Sequence, residues 1–340
     1  MLLSSLVARR IVSTALELNG VMVPASDAVR TRVAGRELSI VNLDKVMYPA
    51  TGYTKAEVIS YYSQIADVLL PYIADRALTR VRFPDGVAGP SFYEKNAPAG
   101  TPSWVRTARI LTSDGPVAYV VADEPATVVW LANLAALELH VPQWRVGVLD
   151  PRTAEAGALE RGEPLADRVV VDLDPGAGTT IVEVARAAMI AAERLAADGL
   201  VPVAQTSGNK GIQVYAAVAP TPSRQIWAYV KQLNATLHRR MPDFFVASMS
   251  VAERAGRIYV DYNQNLAARN TIAPYSMRGR ERPSVATPLT WEEVAATSGP
   301  DDLRFSPEDV LRRVAEHGDL AADLLHPDRP ELPLASGDAG

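Results

Sequence analysis

Two aspartates, Asp172 and Asp174, close a β-branched run that begins at Arg168 and stops at Pro175-Gly176. Side chains alternate along a strand, so the two carboxylates project to one side. Their backbones lie ~6.6 Å apart at ~3.3 Å rise per residue. That spacing lets two carboxylates share cations ~3.5–4 Å apart, the arrangement used for in-line phosphoryl transfer. Leu173, between them, is expected to point into the core. A solvated strand end closing in an Asp-Pro-Gly turn would read the same way without any chemistry. Asp261 ends a second short strand, Arg257–Tyr262, where apolar residues give way to a polar loop. From a neighbouring strand it would complete an acidic triad.

Other segments supply positive charge and donors. The loop Ser207-Gly208-Asn209-Lys210-Gly211 joins two apolar runs. Its glycines let backbone N–H groups approach a phosphate, and Lys210 adds a point charge. A plain hairpin turn explains the loop equally well when it is taken alone, and the spacing is not that of a Walker A loop. Arg269, Arg278, Arg280 and Arg282 follow Asp261, with Gln264 and Tyr275 among them. Such a stretch suits a triphosphate or a nucleic-acid backbone, or simply a solvated basic loop. Lys55 falls in the first turn of a helix, where the macrodipole disfavours cations, and Lys45 is near it in sequence. A terminal phosphate of DNA is a natural occupant there. Phe92-Tyr93, beside Lys95, offers an aromatic platform for a base; an ordinary core or surface role explains these lysines and rings equally well.

The elements that must hold these residues follow from periodicity and caps. A strand is predicted at Arg36–Val41, then a loop Asn42–Tyr53. Thr54 and Glu57 form a capping box for a helix to about Leu70, closed by Pro71, with Val58, Ile65 and Leu69 inward. A strand at Leu78–Phe83 precedes the Pro84-Asp85-Gly86 turn, and a helix is expected from Pro125 to about Leu137. Residues 151–167 read as a linker or surface loop. Beyond the Asp172 strand come a helix Thr180–Asp198, strands Val201–Thr206 and Ile212–Val218, a helix Ser223–Arg240 and a final helix Pro307–Glu316. This order gives an α+β fold with an antiparallel component, mixed sheets flanked by helices. Three regions are expected: an N-terminal extension, 1–35, helical or disordered; a catalytic region, 36–315; and a loose tail, 316–340.

Composition narrows the chemistry. The 340 residues are 48% hydrophobic and 21% charged, ordinary for a globular protein, with net charge −5. That balance argues against non-specific coating of nucleic acid but allows a local basic groove. No cysteine and only four histidines are present. A catalytic metal would therefore take oxygen ligands, which suits Mg²⁺ or Mn²⁺. No apolar run reaches the ~20 residues of a membrane span. The leader before Gly20 lacks a secretory pattern, and Met22 is an equally good start, so the cytoplasm is the expected compartment.

Taken in order, several segments resemble the polymerase domain of bacterial ATP-dependent DNA ligase D, in the archaeo-eukaryotic primase superfamily. They are Leu43–Pro49, Glu138-Leu139-His140, Val171–Gly176, Thr206–Gly211, Val260-Asp261-Tyr262 and Ile272–Arg278. The resemblance runs from about residue 36 to 315. It implies that Asp172, Asp174 and Asp261 bind two divalent cations, preferentially Mn²⁺. It implies that Asn42, His140, Ser207, Lys210, Gln264 and Arg278 surround an incoming NTP or dNTP. Lys45 and Lys55 would hold the 5′-phosphate at a gap or break, and Phe92 or Tyr93 would stack near the templating base. Gln213 departs from the pattern, because the family usually has histidine there.

The implied activity is template-directed gap filling or end extension in DNA repair, with ribonucleotides preferred and priming within reach. The chain leaves no room for ligase or nuclease domains, so a stand-alone monomer working with a separate DNA ligase, and with the Ku end-binding protein, is expected. Two other classes fit parts of the pattern. A phosphohydrolase of the haloacid-dehalogenase type would use Asp172 as nucleophile under a helical cap. A catalytically silent DNA-end-binding module would bind DNA with no incorporation under any metal.

Overall fold

A computed structural model describes residues 28–153, 162–208 and 210–333. Its centre is a seven-stranded sheet built around one long strand, Pro164–Pro175. On one side that strand pairs antiparallel with Ile212–Pro222, which pairs in turn with Pro202–Thr206 and then Pro288–Leu289. On the other side its early part pairs with Trp144–Leu149 and its end with Ile258–Val260, which carries the outer strand Phe245–Val246. A second sheet of four strands runs in the order Thr271–Ile272, Ala136–Val141, Thr79–Arg82, Phe92–Glu94.

Alternation along the long strand decides which face does what. Val169, Val171 and Leu173 point to the back, where helices Ile181–Ala197 and Ser223–Arg240 cover them. The first of these is alanine-rich, and its buried Ala185, Ala188, Ala191 and Ala192 leave room for close approach to the sheet. Val170, Asp172 and Asp174 point to the front. There Val170 and Tyr215 join a second core with helices Lys55–Ile73 and Pro125–Asn133. The two sheets meet on this face: the Tyr215 hydroxyl is 2.9 Å from Thr271 Oγ1, and the Gln205 amide donates to the Ile272 carbonyl at 3.3 Å.

Local signals behave as their chemistry requires. Capping boxes open the helices at Thr54/Glu57 and Thr180/Glu183, and Ser306 does the same with Asp309. The helix after Thr54 runs through Pro71 to Ile73 instead of stopping before it. Pro71 removes one intrahelical bond near the helix end, and burial of Tyr72 and Ile73 holds the last turn in place. The helix expected to reach Leu137 ends at Asn133, and Ala136–Val141 is a strand. Its leucines and alanines favour a helix locally, but the edge of Thr79–Arg82 pairs with it from Ala136 to His140. Tertiary pairing overrides propensity here.

Residues 29–33, assigned to an extension, form a strand. It makes a hairpin with Arg36–Ile40 through Ala34-Gly35, both at positive φ (45° and 82°) as a two-residue hairpin turn requires. The long strand starts at Pro164, inside the stretch expected to be a linker, and the linker's residues 154–161 lie outside the described residues. So do residues 1–27, with Met22, and residues 334–340. The segment after 316, expected to be loose, is tied down over its described part. Asp319 accepts the hydroxyls of Tyr72 and Tyr275, each at 2.6 Å, and Leu324 is buried. The Ala219 N–H donates to the Pro330 carbonyl at 2.8 Å. Among the described residues no helix is long and apolar enough to cross a membrane.

Where the long strand begins, at the end of the helix Lys55–Ile73, lies a buried charge cluster. Asp167 accepts from Arg76 at 2.7 and 2.8 Å, from Arg145 at 2.9 Å, and pairs with Arg329 at 2.8 Å. Burial alone would raise its carboxyl pKa, but the charges of Arg76 and Arg168 and the bonds from Arg329 and Arg76 outweigh it and hold the group well below the usual range. A carboxylate depressed in the folded state stabilises above its unfolded pKa, near 4, and that stability is lost as pH falls below it. Asp167→Ala leaves four guanidiniums without their shared anion. It is expected to cost about 3–5 kcal/mol in urea unfolding at neutral pH, with a smaller difference from wild type in acid.

Candidate active site

Strand register brings the acids together. Asp172 lies opposite Gln213 on one side, and Asp174 lies opposite Tyr259 on the other. The Asp261 N–H donates to the Asp172 carbonyl at 2.9 Å, so the third aspartate continues the ladder beside the first. Asp261 also caps a 3₁₀ turn, Tyr262–Asn265: its carboxylate accepts from the Asn263 N–H at 3.1 Å and from Gln264 Nε2 at 2.9 Å. Gln264 is thereby held against the acids. Arg254 Nη1 stands 3.4 Å from Asp174. Gly176 is what admits Arg254's segment, since a Cβ there would lie 1.7 Å from the Arg254 carbonyl oxygen.

The electrostatics are those of like charges pressed together. Burial, then the charge of Asp174 and that of Asp261, pushes the Asp172 carboxyl well above the usual range; Gln213 and Arg278 oppose the rise. Asp174 is raised by burial and by Asp261, and lowered by Arg254. An all-oxygen donor set short of positive charge suits Mg²⁺ or Mn²⁺. The rotamers are not those of a closed metal cage. Among the described residues no set of three or more Asp, Glu or His converges tightly enough. Asp261 is turned onto its own 3₁₀ turn and Asp174 toward Arg254, so two side chains must rotate for the three to share a cation.

Facing the acids is a second arc. Glu138 and His140 share one face of the strand Ala136–Val141, with His140 Nε2 2.9 Å from Glu138 Oε2. Arg278 Nη1 lies 3.4 Å from the same oxygen, and the Gly279 N–H donates to the other at 3.0 Å. Burial works against the Glu138 charge, but His140, Arg278 and Gly279 overcome it and hold the carboxyl at about 2. Glu138 thus orients both His140 and Arg278. The glycine loop closes over Arg278: Gly208 adopts φ 67°, and a Cβ on it would come 2.6 Å from Arg278 Cγ. Within the loop the Ser207 N–H donates to Gly211 at 2.9 Å and the Gly211 N–H to Ser207 Oγ at 3.2 Å; Lys210 is exposed. Tyr93 completes the arc, its ring 6.4 Å from that of His140 and its hydroxyl on Asn270 at 2.8 Å. Phe92, next along the strand, faces the opposite way. Both rings are exposed, 47% for Phe92 and 56% for Tyr93.

A separate cationic pocket lies at the start of the helix Lys55–Ile73. Lys55 is only 4% exposed, yet its ammonium donates to two neutral oxygens, the Val41 carbonyl at 2.7 Å and Asn133 Oδ1 at 2.9 Å. Burial first, then the charges of Lys45 and Arg82, lowers its pKa to about 8. Lys45 bonds to the Pro84 carbonyl and, at 3.1 Å, to Asp85. Asn42, at φ 56°, belongs to this loop, where its carbonyl accepts the Lys45 N–H at 3.1 Å.

Of the residues singled out in the sequence, the acids, Gln264, Arg278, His140, the glycine loop and Tyr93 gather at one end of the sheet. Lys45, Lys55 and Asn42 gather at the other site. Sequence reasoning passed over Glu138, whose i, i+2 spacing to His140 is a strand-face signal hidden by the helix assignment. It also passed over Arg254, Asn133 and Tyr215, for which no local pattern exists. The phosphohydrolase reading needs a helical cap over Asp172. The helix after that strand, Ile181–Ala197, instead packs beneath the sheet, on the face away from the carboxylate.

The comparisons agree with this geometry. The family model described as LigD, primase-polymerase domain, matches residues 54–321. The multifunctional non-homologous end joining DNA repair protein LigD of Mycobacterium tuberculosis is 39% identical over 290 residues, 85% of this chain and 37% of that protein. The LigD of Mycolicibacterium smegmatis is 41% identical over 288 residues, 84% and 36% respectively. The chain therefore spans a little over a third of the length of these curated relatives. Among solved structures, the polymerase domain of Mycobacterium tuberculosis ligase D in complex with DNA superposes with TM-score 0.78 at 40% identity, covering 86% of this chain and 99% of that one. The α+β architecture read from the sequence is that archaeo-eukaryotic primase fold, and the chain belongs to the LigD primase–polymerase domain family.

Proposed function

We propose that this chain is a template-directed nucleotidyl transferase that fills short gaps or extends ends in DNA, as part of non-homologous end joining. The observation that carries the reading is the juxtaposition, at one end of the sheet, of Asp172, Asp174 and Asp261 with Arg278 and the Ser207–Gly211 loop. Asp172, Asp174 and Asp261 would hold two Mn²⁺ or Mg²⁺ ions. Bound there, such ions supply activation of a 3′-hydroxyl and stabilisation of the leaving pyrophosphate. Arg278 and Lys210 neutralise and orient the triphosphate, with Ser207, His140 and Gln264 around the nucleotide. Tyr93 offers a stacking face beside His140. Ribonucleotide preference and priming belong to the same proposal, as do a separate DNA ligase and Ku as partners of a monomer.

Primer extension on gapped DNA with Mn²⁺ tests the reading. Asp172→Ala, Asp174→Ala and Asp261→Ala are each expected to lose more than the roughly 10–100-fold that removal of a supporting residue costs. Equal extension by wild type and Asp172→Ala would sink the metal assignment. DNA binding with no incorporation under either metal would favour a silent end-binding module.

The cationic pocket carries the 5′-phosphate part of the proposal. A buried lysine bonded only to neutral oxygens gains a counter-charge when a terminal phosphate enters. Lys55 is charged below its folded pKa and neutral above it. Preference for a 5′-phosphorylated gap over an unphosphorylated one is therefore expected to fall as pH rises through about 8. Lys55→Ala should remove both the preference and its pH dependence, read as the ratio of the two dissociation constants. Each lysine lost should also reduce the salt slope of binding by about one.

A further inference from the structure

Behind Asp172 runs a line of buried polar side chains that nucleotide binding does not use. Gln213 faces Asp172 across the strand pair, and Gln205 faces Gln213 from the next strand. Paired residues in register share a face, so all three project to the front of the sheet. Gln213 Oε1 accepts the Tyr215 hydroxyl at 2.8 Å and faces Gln205 Nε2 at 3.5 Å. Tyr215 also lies 2.9 Å from Thr271 Oγ1, which already accepts Gln143 Nε2 at 2.8 Å. Gln213, Gln205, Tyr215, Thr271 and Gln143 are all buried.

Proton counting gives this line a direction. A phenol has one hydrogen and an amide carbonyl can only accept, so the Tyr215 hydrogen goes to Gln213 Oε1. With its oxygen held by Tyr215 and facing Gln205, the Gln213 amide cannot turn over, and its NH₂ is left toward Asp172. The opposite orientation would set a carbonyl against a carboxylate and leave donors unpaired in a buried site. Register sets the Gln213 amide beside Asp172, where it works against the carboxyl's upward shift.

We propose that Gln213 is a positioning residue: clamped by Tyr215 and Gln205, its amide N–H fixes the orientation in which Asp172 presents its oxygens to a divalent cation. The inference rests on the metal reading of the three aspartates. The clamp needs an N–H donor at that position, which glutamine supplies without carrying a charge.

The test is Mn²⁺ binding to the nucleotide-free protein, read from the electron paramagnetic resonance signal of free Mn²⁺, with circular dichroism melting to follow the fold. Gln213→Met, of similar length but without a donor, should weaken Mn²⁺ binding about 10–100-fold while binding to gapped DNA stays within about twofold. Tyr215→Phe, which loses only the clamping hydroxyl, should weaken it less. Gln213→His, which restores a ring N–H, should recover most of the loss. Wild-type Mn²⁺ affinity in a folded Gln213→Met, or a loss that tracks the loss of fold, overturns the proposal. Asp172→Asn separates the two readings: if it binds Mn²⁺ as wild type does, the metal reading falls and this one with it. If Asp172→Asn loses binding and Gln213→Met keeps it, only the positioning role falls.

Discussion

Like-charge repulsion on the front of a single strand is the constraint around which the other parts are arranged. Asp172, Asp174 and Asp261 are driven into each other's field by backbone pairing, which a side chain cannot relax. Burial makes that repulsion stronger. The fold tolerates it because the same strand's back face, Val169, Val171 and Leu173, is sealed by two helices, and because pairing on both sides satisfies its backbone. Arg254, Arg278 and Gln213 each remove part of the excess, from three directions. What remains is a standing demand for positive charge, and the proposed chemistry answers it.

The second arc solves the converse problem. Arg278 is buried near the aspartates and, in the proposed reaction, must meet a triphosphate without collapsing onto them. Glu138 holds it back while also gripping His140, so one carboxylate sets the spacing of two cationic or polar groups. The close approach of the glycine loop then fixes the side chain from above, a contact that tolerates no Cβ at Gly208.

Much of this was legible in the chain. Capping boxes, β-branched runs and the aspartate spacing located the helices and the acids because they are local signals, complete within a few residues. The helix Ser223–Arg240 fell where periodicity put it. The strand Ala136–Val141 did not, because its apolar run is compatible with either conformation and the decision is made by pairing with Thr79–Arg82, far away in sequence. Pro71 misled for a related reason: the turn after it is held by burial of Tyr72 and Ile73 and by the bond from Tyr72 to Asp319, far away in sequence. The site divides the same way. The acids announced themselves, whereas Glu138 and Tyr215 each join a near neighbour to a partner distant in sequence, Arg278 and Thr271. Lys55 stood out by its place at a helix start, but its burial among neutral oxygens is set by Asn133 and Val41, which no spacing reveals.

The C-terminal strap has a consequence for the order of assembly. Asp167 collects Arg76 and Arg145 from earlier in the chain but Arg329 only from its far end, and Asp319 bonds the hydroxyls of Tyr72 and Tyr275. During synthesis the early part of the chain emerges first. Its arginines and Tyr72 gain their last partners, Arg329's shared anion contact and Asp319, only when residues beyond 316 leave the ribosome. Closure of these long loops is entropically expensive and comes late. The strand bearing the aspartates thus gains its ties to Arg329 only after every other strand of its sheet has been made.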